Sequence, residues 1–205
     1  MNIRRTRFLA PVVALTLLVA GAAANSAHAD ETHPRVRLVT SLGDITLELD
    51  AKSAPITTQN FLRYVDSGFY SGTIFHRVIE RFMIQGGGFT VDMRKKGNTY
   101  TPIPLESNNG LRNERATIAM ARTGDPDSAT CQFFINVVDN PRLDYASSED
   151  GNGYAVFGRV VDGMDVVDAI QSVPTTAVNG REDVPVEPVL IESADRVDRG
   201  VRSSR

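Results

Sequence analysis

Phe75-His76-Arg77-Val78-Ile79-Glu80-Arg81-Phe82-Met83-Ile84-Gln85-Gly86-Gly87 sets a cation and a carboxamide inside an otherwise apolar run. Apolar alternation predicts two short strands, residues 73–79 and 82–85. A strict two-residue period puts Phe75, Arg77 and Ile79 on one face and His76 and Val78 on the other. In the second strand Phe82 and Ile84 then oppose Met83 and Gln85. An ionised guanidinium among Phe, Met and Ile is costly unless something accepts its hydrogen bonds. Either Arg77 pairs with a carboxylate such as Glu80 or Glu106, or its donors serve a ligand.

Working outward, Val36, Leu38 and Thr40, then Ile45, Leu47 and Leu49, alternate with polar residues around Ser41-Leu42-Gly43-Asp44, a hairpin signal. Ser53 or Ala54 with Pro55 opens a helix running to about residue 67, with Ile56, Phe61, Leu62 and Val65 as its apolar stripe and Gly68 as its stop. Gly86-Gly87-Gly88 lacks a following Lys-Ser/Thr and a helix, so it reads as a turn or a close backbone approach rather than a phosphate cradle. Further strands are expected over residues 117–121, 132–137, 154–161 and 189–191. A second helix is expected over residues 163–173, carrying Met164, Val167 and Ile170 and closed by Pro174. About eight short strands and only two helices favour a closed or nearly closed barrel over a parallel βαβ fold.

The chain has 205 residues, 41% hydrophobic and 23% charged, the balance of a soluble globular domain. Its first 29 residues differ. Arg4, Arg5 and Arg7 precede an apolar centre, and Ala27-His28-Ala29 is a small-x-small cleavage site before Asp30. The expected organisation is a cleaved secretory signal over residues 1–29, a flexible start over 30–34, one domain over 35–193 and a charged, disordered tail over 194–205. The signal implies export, to the periplasm or to the medium of a cell without an outer membrane, and no stable membrane insertion after cleavage. Losing three arginines and no acids takes the formal charge from −3 to −6, which excludes a basic nucleic-acid footprint. Cys131 is the only cysteine, so neither an internal disulfide nor a paired-cysteine metal motif is possible. No metal and no cofactor is expected.

His28 leaves with the signal and His33 lies in the expected flexible start, so His76 is the one histidine of the folded body. A triad, a metal site or a Cys131–His76 thiol pair would have to use it, and no nucleophile elbow surrounds it.

Five motifs in order, Phe75-His76-Arg77-Val78, Phe82-Met83-Ile84-Gln85-Gly86-Gly87, Ile118-Ala119-Met120-Ala121, Gln132-Phe133-Phe134-Ile135 and Val156-Phe157-Gly158-Arg159-Val160, resemble the cyclophilin family of peptidyl-prolyl cis-trans isomerases. Residues 136–143 and Tyr154-Ala155-Val156 look closest to its exported bacterial branch. The resemblance implies a mainly β fold, an eight-stranded antiparallel closed barrel capped by two helices, with the substrate groove on its outer wall. It implies Arg77, Phe82 and Gln85 as catalytic residues. Phe82, Met83, Phe134 and Leu143 would receive the proline ring. Ala121 and Arg122 would lie along the peptide backbone, and His76, Gln132 and Tyr154 would border the groove. The partners implied are proline-containing polypeptides, bound by a monomer. The alternative is a non-catalytic proline-peptide module or holdase. Arg142 stands where many eukaryotic cyclophilins carry the tryptophan that contacts cyclosporin, Tyr154 replaces a histidine and Arg122 an asparagine, so weak or no cyclosporin binding is expected.

Overall fold

The structure is a computed structural model that describes residues 32–197. The expected signal segment 1–29 and the end of the expected tail, 198–205, lie outside the described residues. Ten strands and two α-helices follow in the order β1 (Arg35–Thr40), β2 (Gly43–Leu49), α1 (Pro55–Asp66), β3 (Thr73–Ile79), β4 (Met83–Thr90), β5 (Thr117–Met120), β6 (Phe133–Asn136), β7 (Val156–Asp162), α2 (Met164–Gln171), β8 (Thr175–Val178), β9 (Arg181–Pro185) and β10 (Val189–Val197). Eight strands close an antiparallel barrel in the order β1-β10-β3-β4-β6-β5-β7-β2. The expected fold class is therefore the observed one.

Alternation fills the interior. Leu38, Leu47, Phe75, Ile84, Ile118, Ile135 and Ile191 point inward and are almost fully buried. An eight-stranded barrel is just wide enough to be filled by its own side chains, so its inside has no room for a peptide. Helix α1 closes one end by burying Phe61, Leu62, Tyr64 and Val65. The Phe61 ring lies 5.2 Å from Tyr70, 5.5 Å from Phe133 and 5.2 Å from Phe157. Ile56, expected on this stripe, is exposed instead. It occupies the first turn, whose backbone donors are met by Glu106: Oε1 accepts from Ile56 N at 3.1 Å and Oε2 from Thr57 N at 2.7 Å. A carboxylate there satisfies orphan donors and complements the positive end of the helix. Glu106 is thus a helix cap and not a partner of Arg77.

Several boundaries differ from the sequence reading. β4 continues through the three glycines, because aromatic and amide side chains cross over them. A Cβ on Gly87 would lie 2.8 Å from Tyr70 Cε1, and one on Gly88 would lie 2.4 Å from Gln132 Cγ. This is the close-approach reading, inside a strand and not at a turn. The residues expected to be a flexible start are tied down, with Pro34 O accepting from Leu49 N and Thr32 O from Ala51 N. Residues 194–197, expected to fray, complete β10, pairing Ala194 with Leu38 and Val197 with Arg35.

The largest omission is the β8–β9 hairpin. Its loop is Asn179-Gly180, both residues at positive φ (52° and 75°), between the paired Val178 and Arg181. That is the geometry of a two-residue type I′ turn, which Asn-Gly favours. The hairpin packs against β3, the strand that carries Arg77.

Candidate active site

The outer wall is shaped by an irregularity in β3. Phe75 pairs with Gly86 but Arg77 pairs with Gln85, so His76 is an extra residue in the ladder. Such a bulge breaks the two-residue period. Phe75 and Val78 both belong to the barrel core, while Arg77 faces out and His76 is buried beneath the outer wall. The strict-period assignment of Phe75 and Arg77 to one face is therefore wrong, and the bulge is the reason.

Arg77 opens a cross-strand row over four strands: Arg77 opposite Gln85, Gln85 opposite Phe134, and Phe134 opposite Ala119. On one side of the Arg77–Gln85 pair lies an apolar cluster separate from the barrel core. Its buried members are Met83, Ala119, Phe134 and Val156, with Phe82, Leu143, Ala121 and Tyr154 among the half-buried residues packed on it. All four residues assigned to the proline ring meet there. Phe134 meets Tyr154 edge-on at 5.5 Å. Val156, Ala119 and Leu111 join the cluster without having been assigned a site role from the sequence. Ala119 could have been found, since it is two residues from Ala121 and so on the same face of a strand.

The Arg77 side chain is 45% exposed, with its Nε 3.7 Å from Asp183 Oδ2. That distance is too long for a hydrogen bond, so the guanidinium keeps its donors. The guanidinium is thus about half open to solvent, and an arriving peptide must cover it. Gln85 is held by donating from Nε2 to Gln132 Oε1 at 3.0 Å, and Gln132 O accepts from Ala121 N at 2.9 Å.

Arg122 is committed elsewhere. Its side chain is 3% exposed, it donates to Gly153 O at 2.9 Å and Thr123 O at 3.0 Å, and it pairs with Asp150. Its guanidinium also covers the Tyr154 ring at 4.7 Å. Arg122 therefore fastens the loop before β7, and only its backbone is free to face a peptide. Arg142 is exposed on the short 3-10 turn Pro141–Leu143.

Behind the apolar cluster is a polar network that sequence reading did not identify. Asn140 Nδ2 donates to Phe82 O at 2.8 Å and to Asn136 Oδ1 at 2.7 Å. Asn136 Nδ2 donates to Thr117 Oγ1 at 2.9 Å and Asn113 Oδ1 at 3.2 Å. Asn113 Nδ2 donates to Asp144 Oδ1 at 3.0 Å. Leu143 N then donates to Asn140 O, and Tyr154 N to Leu143 O. Two walls of the cluster, Phe82 and Leu143, are thus referenced to one buried asparagine.

His76 is 4% exposed, and burial first, then the Arg181 charge, lowers its pKa to about 4, with the Ile74 carbonyl, the Gln132 side chain and Arg77 as smaller influences. It is neutral at physiological pH and cannot act there as a cationic acid. Cys131 belongs to the barrel core, and burial pushes its thiol pKa up, so it is unsuited to nucleophilic work. Among the described residues, no cluster of three His, Cys, Asp or Glu side chains could hold a metal ion.

The family described as cyclophilin type peptidyl-prolyl cis-trans isomerase/CLD matches residues 35–196. A peptidyl-prolyl cis-trans isomerase of Streptomyces antibioticus is 62% identical over 160 residues, covering 78% of this chain and 96% of that one. Peptidyl-prolyl cis-trans isomerase A of Dickeya dadantii is 52% identical over 188 residues, covering 92% and 96%. A crystal structure of a Cryptosporidium parvum cyclophilin type isomerase superposes with a TM-score of 0.67 at 26% identity, covering 82% of this chain and 99% of that one. Barrel, groove and these likenesses agree: the chain belongs to the cyclophilin-type peptidyl-prolyl cis-trans isomerases.

Proposed function

We propose that the protein accelerates rotation about Xaa-Pro bonds by hydrogen-bonding the prolyl nitrogen from Arg77 while the ring sits among Phe82, Met83, Phe134 and Leu143. The observation that carries this is a donor-bearing guanidinium beside an apolar cluster on the outer wall. Rotation is slow because the C–N bond has partial double-bond character, with a barrier of about 18–20 kcal/mol. As the nitrogen becomes pyramidal its lone pair can accept a hydrogen bond, and a guanidinium supplies one without proton transfer. No nucleophile, metal or titrating base is required.

A hydrogen bond to a charged group contributes about 1.5–3 kcal/mol, or roughly 10- to 150-fold in rate. Larger acceleration needs further sources. The apolar walls remove water from the imide, whose planar ground state is the more polar form, and hold the ring while the other side turns. The peptide itself shields Arg77, which strengthens its hydrogen bond. Gln85, fixed by Gln132, orients a substrate carbonyl. Asp183 opposite Arg77 limits the swing of the guanidinium without consuming its donors.

The substrates in this reading are proline-containing segments of exported proteins. The basic start, apolar centre and Ala27-His28-Ala29 site support export to the periplasm, and a monomer suffices because the cluster is built within one chain. A structure of the Cryptosporidium parvum relative was determined in the presence of the dipeptide Ala-Pro. The test is cis-to-trans conversion of a short Xaa-Pro peptide by the mature protein. Binding without acceleration would favour the holdase alternative.

A further inference from the structure

On the other side of the Arg77–Gln85 pair from the proline pocket lies a second compartment of about 190 Å³, lined by His76, Arg77, Gln85, Phe89, Lys95, Gln132, Arg181 and Glu182. It shares Arg77, Gln85 and Gln132 with the groove, so a peptide whose imide reaches Arg77 passes its mouth. An extended residue spans roughly 3.3 Å, which brings the second or third residue from the proline within reach.

The compartment is preorganised around Phe89. The guanidinium of Arg181 sits over the Phe89 ring, 4.6 Å from its centroid, and the His76 ring lies 4.4 Å from the same centroid. Lys95 is fixed by an antiparallel backbone bridge to Phe89. His76, although 4% exposed, has an Nδ1 without a hydrogen-bond partner. That atom is sealed from solvent, so the His76 ring serves as a wall of the compartment packed on Phe89.

The charge balance names the sign of its occupant. Arg77 already faces Asp183. The remaining lining carries two cations, Lys95 and Arg181, against one acid, Glu182. This surplus lies on a chain whose overall formal charge is −3. Resting on the isomerase reading above, we infer that this compartment is a specificity subsite for a carboxylate side chain two or three residues from the proline of the substrate.

Lys95 and Arg181 are exposed, so each contributes about 1.4- to 5-fold at low salt and less as salt screens it. The test compares kcat/KM for blocked peptides with one Ala-Pro bond and Ala, Asp or Lys at the second or third residue on either side. On the side that meets the compartment, Asp peptides should exceed Ala peptides by about 3-fold or more at low ionic strength, with Lys peptides below both. The Asp-to-Ala ratio should approach one at about 1 M salt, where screening acts within a few ångströms. It should also approach one in the Lys95→Gln/Arg181→Gln double variant. Equal kcat/KM for the three side chains at every position, with all peptides turned over, would overturn the subsite and leave the isomerase reading intact. Failure to turn over any peptide, Ala reference included, would remove both.

Discussion

Replacing Asn140 separates the scaffold of the groove from its chemistry. Asn140 is 9% exposed, and its side chain donates to Phe82 O and Asn136 Oδ1. Alanine removes both bonds. Phe82 O keeps a partner, since Val137 N also donates to it at 3.2 Å. Asn136 Oδ1 has no such replacement. Losing the first bond costs about 0.5–1.5 kcal/mol and orphaning the second acceptor about 1–3 kcal/mol, so Asn140→Ala should lose about 1.5–4.5 kcal/mol of stability. Asn140→Asp is the sharper control. It conserves shape but turns an oxygen toward two acceptors, so it should cost at least as much as alanine. Urea unfolding followed by circular dichroism reads the loss as a lower midpoint at constant slope. Because Phe82 and Leu143 are both referenced to Asn140, kcat/KM measured where each variant is fully folded should also fall, by about 10-fold if the walls shift by a kilocalorie or so. Two variants each within 0.5 kcal/mol of the parent, the scale of an ordinary surface substitution, would refute the reasoning.

Three further outcomes follow from the same geometry. His76 has a native pKa of about 4 against 6.5 in the unfolded chain. Below pH 6.5 the unfolded chain takes up a proton that the native state refuses, so stability is lost as pH falls from 6.5 toward 4, by about 3 kcal/mol at the lower end. The difference between wild type and His76→Gln in chemical denaturation should change across that window, and parallel profiles would contradict the assignment. In Gly88→Ala the new Cβ would fall 2.4 Å from Gln132 Cγ, so Gln132 must swing and release Gln85. The expected loss in kcat/KM is about 2- to 10-fold, one neutral hydrogen bond, and an unchanged value would show that Gln85 needs no anchor. Cyclosporin should inhibit weakly, because exposed Arg142 and Tyr154, held edge-on against Phe134, supply neither the tryptophan nor the histidine of many eukaryotic relatives. Submicromolar inhibition in a peptide assay would contradict this.

Much of the molecule was legible because period and punctuation coincide in it. Thr73–Ile79 is a strand with the expected ends, and Pro55 and Gly68 bracket α1. The apolar members of the site, Phe82, Met83, Phe134 and Leu143, converge as the family resemblance implied. The faces of β3 were not legible, since one inserted residue reverses the alternation and a bulge has no composition of its own. The β8–β9 hairpin was legible and overlooked: Asn179-Gly180 is a strong turn signal, masked by flanking strands with few apolar residues. The asparagine network could not be inferred from spacing, because its members come from four separate segments and the partners are set by the closed barrel. Burial of Arg122 was hidden for the same reason, its partners Gly153 and Asp150 lying about thirty residues away. The half-exposed state of Arg77 has a physical reason too, since a guanidinium buried without a substrate acceptor would carry an uncompensated desolvation cost.

The most direct test of the account is kcat/KM for Xaa-Pro isomerisation by Arg77→Ala and Arg77→Lys, alongside their denaturation midpoints. Arg77 is half exposed and makes no hydrogen bond within the described residues, so both variants should fold with stability near that of the parent. The alanine variant should lose about 10- to 150-fold in kcat/KM, the worth of one charged hydrogen bond. Lysine should recover only part of it, lacking the planar fork. A folded Arg77→Ala protein that retains more than about half of the parental kcat/KM, well inside the smallest loss expected of that bond, would contradict the claim that this guanidinium carries the catalysis.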